Sequence, residues 1–336
     1  MRTKAVAAAT LLALALTACG AEIAPAGGDT AGGDTAGSAH YPVTVENCGT
    51  KVTYPRKPAR AVSNDVGITE LLLALGLTDR MAGYVMPDDK GRVDEVAWKD
   101  GYQRTRWLSK RQITKEIVLE AGADLVFAGW HYGFSEADGF TPQALAGLGI
   151  DSYVLTESCR SGSGPERGVM SPLDALYTDL ANLGEIFDVR DRADRLIAEF
   201  RAQVAAVPRP ERRPRVFLYD SGEDKPYTAG RFAAPEEIIA RAGGRNVMGD
   251  VADSWTTVGW EGVVQRDPEV IVINDYGTPD AEAKRRFLKS FPPLAGVSAV
   301  RNDRIFVLDY VDLVESPRNP AAITALAAYL RGVTTG

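Results

Sequence analysis

The chain has 336 residues and a formal charge of −7, with 45% of its residues hydrophobic and 25% charged. Those proportions belong to a folded soluble body long enough for two modest domains or one two-lobed body. The acidic balance, with no basic cluster, argues against a nucleic-acid partner.

Arg2 and Lys4 open the chain, and Ala5 to Leu16 is apolar apart from Thr10. The run is shorter than the roughly 20 residues a membrane-spanning helix needs, but it suits the apolar core of a signal peptide over residues 1–18. Leu16-Thr17-Ala18-Cys19-Gly20 resembles the bacterial lipobox. In that motif small residues expose the bond before a cysteine that carries a diacylglyceryl group. It implies lipidation at Cys19 and a place on the outer face of the cell membrane; ordinary secretion with a free thiol is the competing reading. Residues 19–39 contain Gly-Gly-Asp-Thr-Ala twice, at 27–31 and 32–36. That composition cannot offset its ordering entropy, so the stretch reads as a flexible tether.

Residues 40–188 read as an N-terminal lobe. Strands are expected at Arg60–Asn64, Asp124–Ala128 and Ser152–Leu155, with helical apolar spacing at Leu71, Leu72 and Leu75. Ser171-Pro172 offers an N-cap and first-turn proline to a helix with Leu173, Leu176, Tyr177, Leu180 and Leu183 on one face. A second amphipathic helix, over 189–208, carries Leu196, Ile197, Phe200, Val204 and Val207 and stops at Pro208 and Pro210. At 1.5 Å per residue its amphipathic part, from about Asp191, spans roughly 25 Å, the length of a strut between lobes. Residues 209–336 read as a C-terminal lobe, with strands at Arg215–Tyr219, Glu269–Ile273 and Arg304–Leu308. Apolar strands alternating with helices predict an α/β fold with parallel sheets.

The two lobes echo one another. Glu116 opens a short helix and Asp124 stands eight positions later before a strand; Glu261 and Glu269 repeat the arrangement. Acids in a first turn also suit the helix dipole. Cys48 and Cys159, an even pair in an exported body, predict a disulfide, with two separate buried thiols as the alternative. His40 lies near the tether, which leaves His131 as the one histidine available to a site in the body. That argues against a Ser-His-Asp triad, a His-rich zinc site and enzymatic activity, and no metal or cofactor is expected. Ser161-Gly-Ser-Gly164 lacks the Gly-Lys-Ser/Thr ending of a phosphate loop.

Several landmarks then fall in order: Pro58-Ala-Arg60-Ala-Val, Thr69-Glu70-Leu-Leu-Leu-Ala-Leu-Gly76, the Glu116 and Asp124 segment, Lys225-Pro-Tyr-Thr-Ala-Gly230, Gly243-Gly-Arg-Asn246 and the Glu261 segment. With the lipobox they resemble the class III binding proteins of ATP-driven (ABC) importers for ferric siderophores, haem and cobalamin, from about Pro42 to Ala328. The resemblance implies two Rossmann-like lobes joined by one long rigid helix, with the ligand in the cleft between them. It implies that Glu116 and Glu261, one per lobe, dock on arginines of a membrane permease; helix capping is the plainer alternative.

For the ligand, the resemblance points to aromatics at Trp130, Tyr227 and Trp255, with His131-Tyr132 extending the first. Trp107 and Trp260 are equally well read as core. Arg231 and Arg318 are the charged candidates, because a guanidinium fork suits an anionic chelate, and surface salt bridging competes. The segment before Arg318 fits the cobalamin-binding members poorly. The expected role is a monomeric lipoprotein that captures a metal chelate, foremost a ferric siderophore, and delivers it to the permease. Residues 219–228 and 255–261 also look like actinobacterial relatives proposed to carry a deazaflavin-cofactor precursor; cobalamin and haem are further alternatives. A ligand-sensing lipoprotein without transport and an extracellular enzyme on the same scaffold are the other classes considered.

Overall fold

The computed structural model describes residues 40–86, 92–159 and 170–335. Cys19, the tether and the Ser161–Gly164 loop lie outside the described residues.

The N-terminal lobe begins with a hairpin of β1 (Val43–Asn47) and β2 (Thr50–Tyr54). Its two-residue turn, Cys48-Gly49, has φ of 50° and 73°, the doubly positive pattern that matches the twist of hairpin strands. There follow β3 (Ala61–Asn64), α1 (Val66–Ala74), β4 (Met81–Val85), α2 (Lys99–Arg104) and β5 (Trp107–Ser109). Next are α3 (Lys115–Glu120), β6 (Leu125–Trp130), β7 (Gly133–Phe134), α4 (Pro142–Ala146) and β8 (Asp151–Val154). The sheet is parallel, in order β5-β4-β3-β6-β7 with β8 also on β6. β6 sits inside it, and five of its six residues are buried, as expected for a parallel strand covered on both faces.

Two helices lead out of this lobe. α5 (Pro172–Ile186) is capped by Ser171, whose Oγ accepts the Asp174 N–H, with Pro172 in its first turn. α6 (Arg190–Ala205) buries Ala193, Ile197 and Phe200 along one stripe. Arg192 Nε, at one end of α6, donates to the Ala74 carbonyl of α1 at 3.1 Å. Gln203, near the other end, donates to Thr324 at 3.3 Å.

The C-terminal lobe runs β9 (Arg215–Tyr219), β10 (Tyr227–Ala229), α7 (Ala234–Arg241), β11 (Arg245–Asn246), β12 (Trp255–Thr257) and α8 (Trp260–Arg266). It ends with β13 (Val270–Asp275), α9 (Ala281–Ser290), α10 (Ser298–Arg301), β14 (Ile305–Asp309) and α11 (Asn319–Thr335). Its sheet is parallel in order β11-β9-β13-β14, and β10 and β12 form a separate antiparallel pair. α11 carries Thr324, so α6 joins α1 of one lobe to α11 of the other.

The expected strands correspond to β3, β6, β8, β9, β13 and β14. The β1–β2 hairpin and the β10–β12 pair were not anticipated. Between β14 and α11 the chain crosses back: Tyr310, Val311 and Val314 are buried in one cluster with Val66, Leu73, Tyr84 and Tyr102 of the N-terminal lobe. This strap packs the exit of the C-terminal sheet against the N-terminal lobe.

A disulfide joins Cys48 to Cys159, with Cα atoms 5.2 Å apart across 111 positions. It ties the hairpin turn to the segment after β8. Closing so long a loop restricts the unfolded chain, so its loss is expected to destabilise the fold by about 2–4 kcal/mol. Urea unfolding of wild type and Cys48→Ala/Cys159→Ala measures this, and identical midpoints would refute it.

Candidate functional site

Parallel strands present their carboxyl ends to ligands, and β6 ends on Trp130. The chain then turns sharply: His131 takes φ 66°, the Tyr132 N–H donates to the Gly129 carbonyl at 3.0 Å, and the His131 N–H donates to Phe134. Ser158, in the turn after β8, accepts the Trp130 N–H at 2.9 Å. Gly129 allows this approach, because a Cβ there would meet Ser158 Oγ at 2.8 Å. Asn64, at the end of β3, donates to the Tyr132 carbonyl at 2.7 Å. The aromatic edge of the N-terminal lobe is thereby fixed from three strands.

Trp130, His131, Tyr132, Glu157 and Ser158 face Phe232, Ser254 and Trp255 of the other lobe around a cavity of about 40 Å³. Trp255 opens β12, and the Tyr227 ring of β10 stacks on it with centroids 6.0 Å apart and planes at 22°. Such diagonal aromatic pairing is a normal device across two strands. Trp130, His131 and Trp255 thus come together at one cavity, with Tyr227 behind Trp255. Arg231 is exposed and lies over the Phe232 ring at 5.2 Å; it does not line the cavity.

Arg318 is placed elsewhere. Its Nε donates to Glu70 Oε2 at 2.8 Å and its Nη2 to Glu70 Oε1, while Asp309 lies 3.7 Å from Nη1. It is 9% exposed, and its fork is taken up by a wholly buried carboxylate rather than offered to the cleft. Trp260 is core: it is 5% exposed among Phe217, Tyr219, Phe287 and Phe291, and donates to the Glu223 carbonyl. Trp107 is 39% exposed, donates to the Met86 carbonyl and stacks on Tyr84.

Glu157, Ser158, Phe232 and Ser254 were not anticipated. For the first two a signal existed, since they follow the predicted strand before Cys159 and so stand at the carboxyl end of a sheet strand. Glu157 also reaches across the lobes. Its N–H donates to Glu315 Oε2 at 2.9 Å, and the Glu315 N–H donates to Glu157 Oε2 at 2.6 Å. Behind them Asp179 accepts from Tyr153 Oη, the Thr156 N–H and Thr156 Oγ1. Burial, with Asp65 and Asp179 adding negative charge, pushes Glu157 up to about 7. Burial and the charges of Asp179 and Glu157 push Glu315 well above the carboxylate range.

Glu116 is exposed in the first turn of α3, where Thr114 caps the helix and holds the Glu116 carboxyl below its usual range. Glu261 is exposed in the first turn of α8. A hollow of about 560 Å³ between α5, α6 and the end of α7 is larger than the interlobe cavity. Three of the four guanidiniums that line it are engaged locally: Arg213 with the Gly244 carbonyl, Arg241 with Glu237 and Arg201 over the Tyr177 ring. The convergence of aromatic and polar groups from both lobes makes the smaller cavity the candidate site.

Two α/β lobes joined by a long helix, with aromatic groups from each meeting at one cavity, have the architecture of a solute-binding protein of the rigid-helix kind. The chain matches the periplasmic binding protein family over residues 62–311 and belongs to it. It is 22% identical over 296 residues to the uncharacterised ABC transporter substrate-binding lipoprotein YvrC of Bacillus subtilis, covering 85% of each chain. It is 25% identical to the vitamin B12-binding protein of Yersinia pestis, covering 66% of this chain and 72% of that one. A structure titled as an ABC-type Fe3+-hydroxamate transport system from Saccharomonospora viridis superposes with a TM-score of 0.72 at 25% identity, covering 87% of this chain and 99% of the other. These relatives are substrate-binding transport proteins, not enzymes.

Stability should depend on pH through two half-buried acids. Glu157 and Asp312, both raised to about 7 by burial, bind more protons folded than unfolded between about pH 4.5 and 7. In that window the fold loses stability as pH rises. The melting temperature is expected to be several degrees higher at pH 5.5 than at pH 7.5, with a smaller difference in Glu157→Gln. Calorimetry at both pH values checks this; an equal or opposite slope would count against it.

Proposed function

We propose that this protein captures a metal chelate, foremost a ferric siderophore, in the interlobe cavity and delivers it to an ABC importer permease. The observation that carries the reading is the meeting of Trp130 and Trp255, one from each lobe, at a single cavity. Flat aromatic faces supply contact area to a bulky chelate, while Ser158, Ser254 and Glu157 provide polar orientation. The likeness to the Fe3+-hydroxamate structure supports this cargo. The present 40 Å³ holds little more than the roughly 30 Å³ share of one water, so loading displaces the aromatic edges or parts the lobes above the Glu157–Glu315 exchange. A corrinoid is the second reading, favoured by the vitamin B12-binding relative.

Trp130→Ala and Trp255→Ala are each expected to weaken binding of a ferric trihydroxamate at least tenfold, measured by fluorescence quenching. Melting temperature should stay close to that of wild type. Failure of the wild type to bind it, with cyanocobalamin bound instead, would shift the assignment to the second reading.

The same proposal places the protein outside the cytoplasm, held by a lipid on Cys19, with Glu116 and Glu261 contacting permease arginines and the charge match fixing register. Cys19→Ala is expected to move the protein from the membrane fraction to the medium. Unchanged membrane association would refute the anchor.

A further inference from the structure

The helices that carry Glu116 and Glu261 are short, six residues in α3 and seven in α8. Helices of this length have no independent stability, so their ends must be held by the rest of the lobe. At its start α3 is capped by Thr114, whereas α8 begins at Gly259 without a side-chain cap. At their other ends the two share one device.

In the N-terminal lobe, Arg60 stands immediately before β3. Its Nε donates to the Gly122 carbonyl at 2.9 Å and its Nη2 to the Ala121 carbonyl, the exit of α3. In the C-terminal lobe, Arg215 opens β9. Its Nε donates to the Asp267 carbonyl at 2.7 Å and its Nη2 to Asp267 Oδ2 at 3.1 Å, the exit of α8. Both exits turn through a left-handed residue, Gly122 at φ 61° and Asp267 at φ 41°. An acid anchors each arginine's backbone: Asp124 accepts the Ala59 and Arg60 N–H groups, and Glu269 accepts the Arg215 N–H at 3.1 Å. Glu116 and Glu261, Gly122 and Asp267, and Asp124 and Glu269 are all separated by the same 145 positions.

We propose that Arg60 and Arg215 are equivalent positioning residues that set the angle of α3 and α8, and with it the presentation of Glu116 and Glu261 to the permease. The inference rests on the docking role proposed above. A planar fork engaging the exit of a helix fixes direction as well as distance, which an ammonium cannot do. Two carboxylates read together by one partner need a fixed mutual geometry, and the arginine tethers supply it independently in each lobe. Neither arginine lines the interlobe cavity.

The test uses the full-length protein as isolated from its host, titrated onto its cognate permease–ATPase in proteoliposomes, with ATP hydrolysis as readout. Arg60→Gln and Arg215→Gln should each raise the KM for the binding protein roughly fivefold or more, the range of coupling between interacting groups, with kcat unchanged. Circular dichroism confirms folding at the assay temperature. In a Glu116→Ala background, Arg60→Gln should add nothing further, whereas a merely structural defect would add its full effect. Should Arg60→Gln not fold, Arg60→Lys replaces it, with an intermediate KM expected. A raised KM in Glu116→Ala with a normal KM in the arginine variants would overturn the positioning role and leave docking intact. A normal KM in Glu116→Ala/Glu261→Ala would remove the docking role itself, and this inference with it.

Discussion

The fold depends on a charge pair that crosses between its lobes. Glu70 lies on α1, wholly buried, and Arg318 comes from the strap that leaves the other sheet. Burial pushes the Glu70 carboxyl up, while the Arg318 fork and Tyr102 oppose that shift. Arg318, despite its own burial, is held above its ordinary value by Glu70. Removing one partner of such a pair leaves an uncompensated buried charge and typically costs about 3–5 kcal/mol. Asp309 extends the alternation to Arg92 at 2.8 Å, so cations and anions alternate from α1 through the strap to the loop before α2. Apolar contact alone would let these surfaces slide, whereas a bidentate fork permits one register.

Close backbone approach makes the same seam tight. A Cβ on Gly67 would stand 2.5 Å from the Glu315 carbonyl oxygen, so any larger residue there forces the strap off α1. Glu157, which exchanges hydrogen bonds with Glu315 of the strap, lines the cavity. The seam is thus rigid beneath the site and aromatic above it. Trp130, Tyr132, Phe232 and Trp255 line the cavity, while α6 and the strap each bridge the two lobes.

The sheets were readable because their central strands are buried on both faces and appear as unbroken apolar runs. The β1–β2 hairpin alternates exposed and buried residues through Thr and Lys, and β10 and β12 have three residues each, too few for a period to show. Arg318 could not be placed from sequence, since its partner Glu70 lies 248 positions away and an arginine meant for an anion looks the same as one meant for a buried carboxylate. Trp255 and Trp260 make the same point at close range. One starts an antiparallel strand and stacks on Tyr227, while the other starts a helix and turns into an aromatic core. Residue type supplied the aromatic payload, and only the backbone direction over five residues decided which face received it.

The duplicated helix–strand units show where the lobes had to differ. β6 and β13 keep the same 145-position offset to their last residues, Trp130 and Asp275. In the C-terminal lobe the strand end is occupied by its own polar bonding. Buried Lys284 donates to the Asn274 and Tyr276 carbonyls, Asn274 donates to Asp220, and Asp275 accepts the Ala281 N–H. The exposed Tyr276 ring just beyond that end stacks on Tyr310 of the strap, and the lobe's aromatic group at the cavity comes from the β10–β12 pair instead. The N-terminal lobe places Trp130 directly at the strand end. Two architecturally equivalent halves therefore reach the cavity by different routes. The features they keep in common, the acid before the strand and the arginine on the helix exit, lie at the opposite ends of the same strands, away from the interlobe cavity. On the proposed function, the shared geometry sits where a permease would read both lobes together, and the divergence sits at the strand ends that face the interlobe cavity.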